Sequence, residues 1–264
     1  IAEETGLCEE FMGQFPVVSV SLKDIEASSY ESARDMTVKV INQEARRLQF
    51  LLESEKLSVY DKKLFAALLE PDMEDKTLSY SLREITELLK KHYEKKVILL
   101  IDEYDVPLAK ANERGYYTEM IALIRNLFGT ALKTNENLYF AVLTGCLRVA
   151  KESIFTGLNN FNVFSITDVE FDEYFGFTDT EVRDMLRYYG LEDSYEVVKE
   201  WYDGYQFGGV EVYCPWDVIC YCSKHRKNKS LPPQNYWLNT SGNEVVRHFI
   251  DGLGGQQMIT KAEM

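Results

Sequence analysis

The chain has 264 residues, a length that can bury the core of one large domain or two smaller ones. Its composition, with 45% hydrophobic and 27% charged residues, is ordinary for a globular protein. Its formal net charge of -14 repels phosphate backbones, so we do not expect this chain to bind nucleic acid by bulk electrostatics. No apolar run approaches the roughly 20 residues that cross a bilayer, and the five irregularly spaced cysteines indicate reduced thiols and a cytoplasmic protein.

Four short aliphatic or aromatic runs have the length and composition of β-strands. They span residues 16–22, 97–102, 138–144 and 162–168. The segments between them carry the apolar spacing of helices, over residues 28–54, from Ser81 onward and over residues 117–133. Ser81 and Glu84 have the spacing of a capping box, which predicts a helix start at Ser81. Apolar strands that alternate with helices predict a parallel sheet covered on both faces.

Beyond residue 168 the pattern becomes mainly helical. Thr178 and Glu181 form a second capping-box pattern, and a further helix is predicted to end near Tyr202. Residues 204–215 predict a hairpin that turns on Gly208 and Gly209. We therefore predict two parts, an α/β part over residues 1–168 and a helical part over residues 169–264.

Two adjacent acids, Asp102 and Glu103, directly follow the aliphatic run 97–101. Ligands of parallel sheets lie beyond the carboxyl ends of the strands, and Thr144 ends the next predicted strand. If the two strands are neighbours, the two acids and the hydroxyl face one cleft. Such a set suits phosphoryl transfer to water, with one acid for magnesium, one for the attacking water and a polar group for the γ-phosphate. The alternative is a buried strand with a solvated acidic end.

The other half of such a site is a glycine-rich loop that ends in Gly-Lys-Ser/Thr and binds the phosphates. None of the 15 glycines is followed by lysine. An intact ATP-hydrolysing site therefore cannot be argued from these residues alone.

Two further groups have a simpler structural interpretation. Cys214, Cys220, Cys222 and His225 fit no standard zinc spacing, and we interpret them as core residues. We predict that the aromatic side chains of residues 201–205 anchor the hairpin and do not stack on bases.

Five longer stretches, taken in order, closely resemble the bacterial AAA-ATPase-like proteins: "KKVILLIDEYDVPLAKA", "LTGCLRVAKESIFTGLNNF", "WYDGYQFGG", "VYCPWDVI" and "YWLNTSGNEVV". These are P-loop proteins, many of which carry a PD-(D/E)XK nuclease-like domain at the C-terminus. The resemblance covers residues 7–251. It implies an α/β fold with a P-loop NTPase-type parallel sheet and flanking helices, followed by a helical lid with a small winged-helix-like hairpin.

The resemblance also assigns roles to individual residues. It implies that Asp102 and Glu103 are the Walker B pair, with Asp102 holding Mg²⁺ through water and Glu103 acting in catalysis. It places Thr144 at the sensor position, in contact with the nucleotide. Arg148 falls in the polar stretch after the sensor, where it approaches a phosphate or forms a salt bridge. ATP and Mg²⁺ are the ligands that the resemblance implies for the intact protein.

Family members carry a first strand and a phosphate loop upstream, and both are missing here. Because the chain begins with Ile1 and not with methionine, we expect it to be an internal piece of a longer parent. The expected function is Mg-dependent ATP hydrolysis in that parent, which would also supply any nuclease-like domain and any self-association. The alternative is a catalytically inactive nucleotide-responsive or protein-interaction module.

The missing first strand leads to a geometric expectation. In this fold type, that strand lies between the sensor strand and the last strand of the core. Strands 97–102 and 138–144 should therefore pair in parallel, with Asp102 close to Thr144. The run 162–168 should lie about two strand spacings, roughly 9–10 Å, from the sensor strand.

Overall fold

A computed structural model describes residues 5–146 and 161–237. These residues form two compact units, which are separated in the sequence between Phe161 and Asn162. Each unit has its own hydrophobic core.

The first unit alternates strands with helices. Its described elements are α1 (Thr5–Phe11), β1 (Val17–Ser21), α2 (Tyr30–Arg47), α3 (Val59–Ala67), α4 (Asp75–Tyr93), β2 (Val97–Asp102), α5 (Val106–Arg114), α6 (Tyr117–Leu132) and β3 (Leu138–Leu143). The first three predicted strands and the helix predicted over residues 117–133 are confirmed. The helix predicted over residues 28–54 ends at Arg47, and a 3-10 helix (Gln49–Glu53) follows it.

The three strands form one parallel sheet in the order β1-β2-β3. The central strand β2 is almost entirely buried because it has a neighbouring strand on each side and helices pack on the sheet. The predicted parallel pairing of residues 97–102 with residues 138–144 is confirmed. An α/β fold with flanking helices is therefore established for this unit, as the sequence predicted.

Helices α2, α4 and α6 contact one another and complete the core. In α4 the fully buried side chains recur three or four residues apart, which is the spacing of one helix face: Leu78, Leu82, Ile85 and Leu89. Burial of each such side chain contributes about 1.5–3 kcal/mol to folding.

The predicted start of α4 at Ser81 is wrong. The helix begins six residues earlier in the sequence, at Asp75, and Ser81 lies inside it. The Ser81 side chain is buried and donates a hydrogen bond of 2.8 Å to the carbonyl oxygen of Leu78. A serine hydroxyl can satisfy itself on the preceding turn of a helix, so the Ser81–Glu84 spacing does not mark a helix start here.

The second unit contains a small antiparallel sheet and three helices in its described part. Its elements are β4 (Phe177–Thr178), α7 (Asp179–Tyr188), α8 (Tyr195–Tyr202), β5 (Asp203–Phe207), β6 (Val210–Tyr213) and α9 (Pro215–His225). The strand order is β4-β6-β5. Phe207 pairs with Val210, so the predicted hairpin on Gly208 and Gly209 is confirmed.

Helix α7 has the N-terminus that the sequence predicted. The Glu181 amide donates to Thr178 Oγ1 at 3.4 Å, and the Thr178 amide donates to Glu181 Oε2 at 2.9 Å. This reciprocal pair is a capping box and satisfies two amides that the helix itself leaves unpaired.

The strand predicted over residues 162–168 is wrong, because these residues form no strand. The Ser165 amide and hydroxyl donate to Asp168 Oδ2 at 2.6 and 2.8 Å, and the Asp168 amide donates back to the Ser165 carbonyl at 2.9 Å. The Ile166 carbonyl accepts a bond of 2.8 Å from the amide of Gly208, in the hairpin turn. These local bonds use the backbone groups that a strand would need.

Across residues 5–146 and 161–237, no helix combines the length and the apolar character needed to cross a membrane. All five cysteines lie in the described part of the chain, and all five are free thiols.

Candidate functional site

Three polar side chains meet at the carboxyl edge of the parallel sheet. Asp102 is the last residue of β2, and its register partner on β1 is Ser21, the last residue of that strand. On the other side Ile101 pairs with Leu143, so Thr144 lies opposite Asp102. Because all three strands run in the same direction, their last residues meet at one edge, which is where parallel sheets bind ligands.

Both carboxylate oxygens of Asp102 accept a hydroxyl hydrogen bond. Thr144 Oγ1 donates to Oδ1 at 2.5 Å, and Ser21 Oγ donates to Oδ2 at 3.3 Å. Backbone bonds fix the three residues further. The Leu22 amide donates to the Asp102 carbonyl at 2.9 Å, and the Tyr104 amide donates to the Thr144 carbonyl at 3.0 Å.

Ser21 is the residue that the sequence analysis missed. The sequence predicts a strand over residues 16–22, but no signal in it marks the last polar residue of this run as part of the site. The alternation "SVSL" would have placed Ser21 on the same face as Ser19, and the parallel register then brings it beside Asp102. The sequence alone does not give this pairing register between β1 and β2, so it does not show that Ser21 lies beside Asp102.

Glu103 occupies an unusual backbone conformation. Its φ is +51°, in the left-handed region, and its side chain is partly buried. This conformation costs a non-glycine residue roughly 1–2 kcal/mol. It lies in the short turn that takes the chain from β2 into α5, whose first turn contains Pro107. Backbone strain of this kind is frequent at functional sites.

The loops after β2 and β3 are in close contact. Asp105 is buried at the start of α5. A Cβ atom placed on Gly145 would lie 2.5 Å from Asp105 Oδ1 and 2.9 Å from Tyr104 Cε1. No side chain fits at residue 145 without moving these neighbours, which explains why glycine follows Thr144.

Cys146 gives a measure of the local charge. Partial burial and then the negative charges of Asp105, Glu103 and Asp102 raise the pKa of its thiol. Three carboxylates therefore act on one point at this edge of the sheet. Of the four residues predicted for the site, the structure brings together Asp102, Glu103 and Thr144, and Arg148 lies outside the described residues.

The oxygen atoms at this edge suit a hard divalent cation. Asp102 supplies a solvent-exposed carboxylate, and Ser21 and Thr144 supply hydroxyl oxygens. Within residues 5–146 and 161–237, no three His, Cys, Asp or Glu side chains form a group that could hold a metal. Mg²⁺ does not need such a group, because one or two carboxylates, waters and substrate phosphates complete its coordination. The residues present therefore fit a water-mediated Mg²⁺ at Asp102.

The thiols near the C-terminal end of the described chain lie in a different setting. The Cys222 side chain is buried, and this burial raises its thiol pKa to about 11. The two ring nitrogens of His225 each lie 2.9 Å from a carbonyl oxygen, that of Tyr221 and that of Leu231. Cys222 and His225 are therefore core residues, whereas Cys214 and Cys220 are only partly buried.

The aromatic run 201–205 is divided between core and surface. Tyr202 is buried in the core of the second unit and donates a hydrogen bond of 2.9 Å to the carbonyl of Gln234. Trp201 and Tyr205 are each about half exposed. Of this run, Tyr202 is the residue that lies in the core, which also contains Tyr213 of the hairpin strand β6.

Comparison with known proteins gives the family. Residues 3–155 match the AAA-ATPase-like family, whose description is "Predicted AAA-ATPase". The chain belongs to this family. A curated relative, described as an uncharacterized protein in the vnfD 5′ region of Azotobacter chroococcum mcd 1, is 30% identical over 148 residues.

The matched stretch is 55% of this chain and 27% of that relative. The chain thus spans about a quarter of the length of the curated relative that it matches. No solved structure matches the chain significantly.

Proposed function

We propose that this chain carries the Walker B and sensor positions of an AAA-ATPase-like domain, and that the intact parent binds and hydrolyses ATP with Mg²⁺. The observation that carries the proposal is the pairing of Asp102 with Thr144 at the carboxyl edge of a parallel sheet, joined by a hydrogen bond of 2.5 Å. Membership of the family supports nucleotide binding in general.

Each site residue has a defined role in this proposal. Asp102 holds Mg²⁺ through water, and the bound ion would neutralise charge on the β- and γ-phosphates. Glu103 orients or deprotonates the attacking water. Thr144 contacts the γ-phosphate, and Arg148, in the stretch after it, approaches a phosphate.

The hydroxyl of Thr144 can report on the nucleotide because it has a single proton to donate. In the described structure that proton is directed at Asp102. Donation to a γ-phosphate would require the hydroxyl to release the carboxylate, since one hydroxyl makes one donor bond. The orientation of Asp102 would then depend on whether a γ-phosphate is present.

The same proposal covers the domain organisation of the chain, its cellular location and the further domain of the parent. The sequence places the boundary at residue 168, whereas the two compact units divide between Phe161 and Asn162. We assign the first unit to a partial ATPase core and the second to a helical lid, in which the hairpin β5–β6 is the winged-helix-like element. We place the protein in the cytoplasm, in agreement with its five free thiols. A nuclease-like domain and self-association would belong to the parent.

The alternative is a catalytically inactive nucleotide-responsive or protein-interaction module in which Asp102 and Glu103 have lost their roles. It is favoured by one observation, that none of the 15 glycines in these residues is followed by lysine. Loss of the lysine and of the amide groups of a phosphate loop removes the main contacts to the β- and γ-phosphates.

Two measurements test the proposal. Calorimetry of the 264-residue chain with Mg²⁺ and ATP should give weak binding at most, and low-micromolar affinity would contradict the assignment of the phosphate loop to the parent. In the full-length parent, Glu103→Gln should preserve nucleotide binding and lower turnover by about 10²-fold or more. Asp102→Ala should weaken the Mg²⁺ dependence of binding. Turnover of Glu103→Gln at the parental rate would favour the inactive module.

A further inference from the structure

A loop at the start of the second unit exposes an unusual number of large apolar side chains. In residues 163–175, the exposed fractions reach 61% for Ile166, 70% for Val169, 78% for Tyr174 and 71% for Phe175. Phe164 and Phe171 are also about half exposed and stack edge to face, with centroids 4.9 Å apart. Large clustered apolar groups on a protein surface usually mark an interaction site.

This loop is held to the hairpin by its backbone and by its shorter side chains. The Gly208 amide donates to the Ile166 carbonyl at 2.8 Å, and the Gly209 amide donates to Asp172 Oδ2 at 3.0 Å. A Cβ on Gly208 would lie 2.5 Å from the carbonyl oxygen of Asp168. Glycine at residue 208 is therefore required by the loop that packs on it.

The anchoring determines which side chains face solvent. Asp168 and Asp172 are partly buried and accept the bonds that fix the loop, whereas the aromatic side chains next to them remain exposed. Phe171 has φ of +68°, a left-handed conformation that is rare for a bulky residue. Hydrogen bonds and a strained backbone thus hold this loop in a conformation that leaves its apolar groups exposed. Strain of this kind is typical of a binding surface.

The charges of the loop indicate what kind of partner fits. Glu170 and Glu173 are exposed and lie between the apolar residues, and residues 163–175 contain four acids and no Lys or Arg. Such a surface repels nucleic acid and a second copy of this acidic chain, whose net charge is -14. Arginine and lysine side chains complement the acids, and their stems and cation–π contacts suit the aromatic rings.

We propose that residues 163–175 form a docking surface for a basic segment of another protein, in which Arg or Lys alternates with apolar residues. The exposed aromatic groups bury the apolar residues of the partner, and Glu170 and Glu173 pair with its cations. None of its residues belongs to the set proposed for the nucleotide, which comprises Asp102, Glu103, Thr144 and Arg148.

The probe for the test is a fluorescent peptide of about twelve residues that alternates Arg and Leu, long enough when extended to run along the loop. A matched peptide has Glu in place of Arg. Anisotropy is measured with the full chain at low salt, where charge complementarity contributes most. The Arg peptide should bind and the Glu peptide should not. Equal binding of the two peptides, or no binding of the Arg peptide, would overturn the proposal.

Two variants of the loop locate the binding. Glu170→Lys/Glu173→Lys and Tyr174→Ser/Phe175→Ser should each weaken binding of the Arg peptide by about fivefold or more. Because all four side chains are exposed, the melting temperature should change little in either variant.

Matched controls separate local docking from general charge attraction. Glu192→Lys/Glu196→Lys makes the same charge change on exposed residues elsewhere in the second unit. Tyr188→Ser removes an aromatic ring that is 83% exposed. Both controls should bind the Arg peptide as tightly as the unchanged chain does. If they lose as much affinity as the loop variants, binding depends on net charge or general hydrophobicity and the proposal is wrong.

Two further outcomes would identify a different occupant. A concentration-dependent dimer that Tyr174→Ser/Phe175→Ser dissociates would show that a second copy covers the loop. Slow amide exchange at residues 163–175 that a Ser/Ser variant accelerates would show that the chain itself already covers them. Either result would contradict the proposal that a basic segment of another protein binds this loop.

Discussion

Thr144 donates a hydrogen bond of 2.5 Å to Oδ1 of Asp102 across two parallel strands, although the two residues are 42 positions apart in the sequence. Ser21 approaches the other oxygen, Oδ2, from the opposite strand. The carboxylate is therefore held between two hydroxyl groups that come from its two neighbouring strands. Removal of one hydroxyl should leave the carboxylate in place but free to rotate.

The first prediction concerns this pair of hydroxyls. Thr144→Val keeps the shape of the side chain and removes its donor, so unfolding free energy should fall by about 1 kcal/mol or less, because water can reach the exposed carboxylate. In the full-length parent, turnover should fall at least tenfold, and Ser21→Ala should lower it less. Ser19→Ala is the control, since Ser19 lies on the same face of β1 but pairs with Leu100, two register pairs away from Asp102. A parental rate for Thr144→Val would contradict a role for this hydroxyl.

The site residues that follow an apolar run could be predicted from the sequence, whereas those that depend on contacts between distant segments could not. Asp102, Glu103 and Thr144 each follow an apolar run in the sequence, and the rule for parallel sheets is enough to bring them to one edge. Ser21 depends on the register between β1 and β2, and the left-handed backbone of Glu103 depends on how the turn into α5 closes. Neither property is encoded in the spacing of apolar residues.

The two wrong predictions of structure have a common cause. The predicted helix start at Ser81 and the predicted strand over residues 162–168 both rest on local sequence patterns. In the structure, the Ser81 hydroxyl bonds to the helix that contains it, and Ser165 and Asp168 bond to each other. Short polar side chains can satisfy nearby backbone groups in several ways, so their spacing alone does not decide between a cap, a helix interior and a turn.

The second prediction concerns Gly145. In Gly145→Ala the new Cβ would lie 2.5 Å from Oδ1 of Asp105, a short and buried side chain that has little room to move. Unfolding free energy measured with urea should therefore fall by about 1–3 kcal/mol. Gly129→Ala is the control. Gly129 lies in α6 with nothing within 4 Å of the added Cβ, so this change should stabilise the chain by about 0.5–1 kcal/mol. Equal effects of the two changes would contradict the contact between the loops.

The third prediction tests whether Glu103 is kept for function at a cost in stability. Asparagine tolerates the left-handed region better than glutamate does, so Glu103→Asn should raise unfolding free energy by about 0.5–1 kcal/mol. It should also remove turnover from the full-length parent. A loss of stability would mean that the Glu103 carboxylate has a structural role.

Glu94 provides the control for Glu103. It has φ of +57° at the end of α4, and its side chain is exposed and forms a salt bridge of 3.0 Å with Lys56. Glu94→Asn should change stability by a similar amount, less the small contribution of that exposed salt bridge. Turnover should stay at the parental level. If Glu103→Asn raises unfolding free energy more than Glu94→Asn does, the difference measures the repulsion of Glu103 by the neighbouring acids.

The last prediction concerns the pH dependence that Glu84 gives to folding. Burial in α4 and then the charge of Glu87 raise the pKa of Glu84 to about 7, against the weaker opposing effect of Lys76. The folded chain thus binds a proton at Glu84 that the unfolded chain, with an ordinary glutamate pKa, has released. Between pH 4.5 and about 7, this residue therefore makes unfolding free energy fall as pH rises, and its contribution is constant above that range.

Glu84→Gln removes this titration and should flatten that part of the stability curve. At pH 8 the variant should be more stable than the unchanged chain, by roughly 1 kcal/mol once solvent screening of the partly exposed group is taken into account. At pH 4.5 the two should be nearly equal. Urea unfolding of both proteins across this range measures the difference. Glu87→Gln is the matched control, because it should lower the pH at which the fall occurs without abolishing it. An unchanged pH profile in Glu84→Gln would show that Glu84 is ionised and solvated in the folded chain.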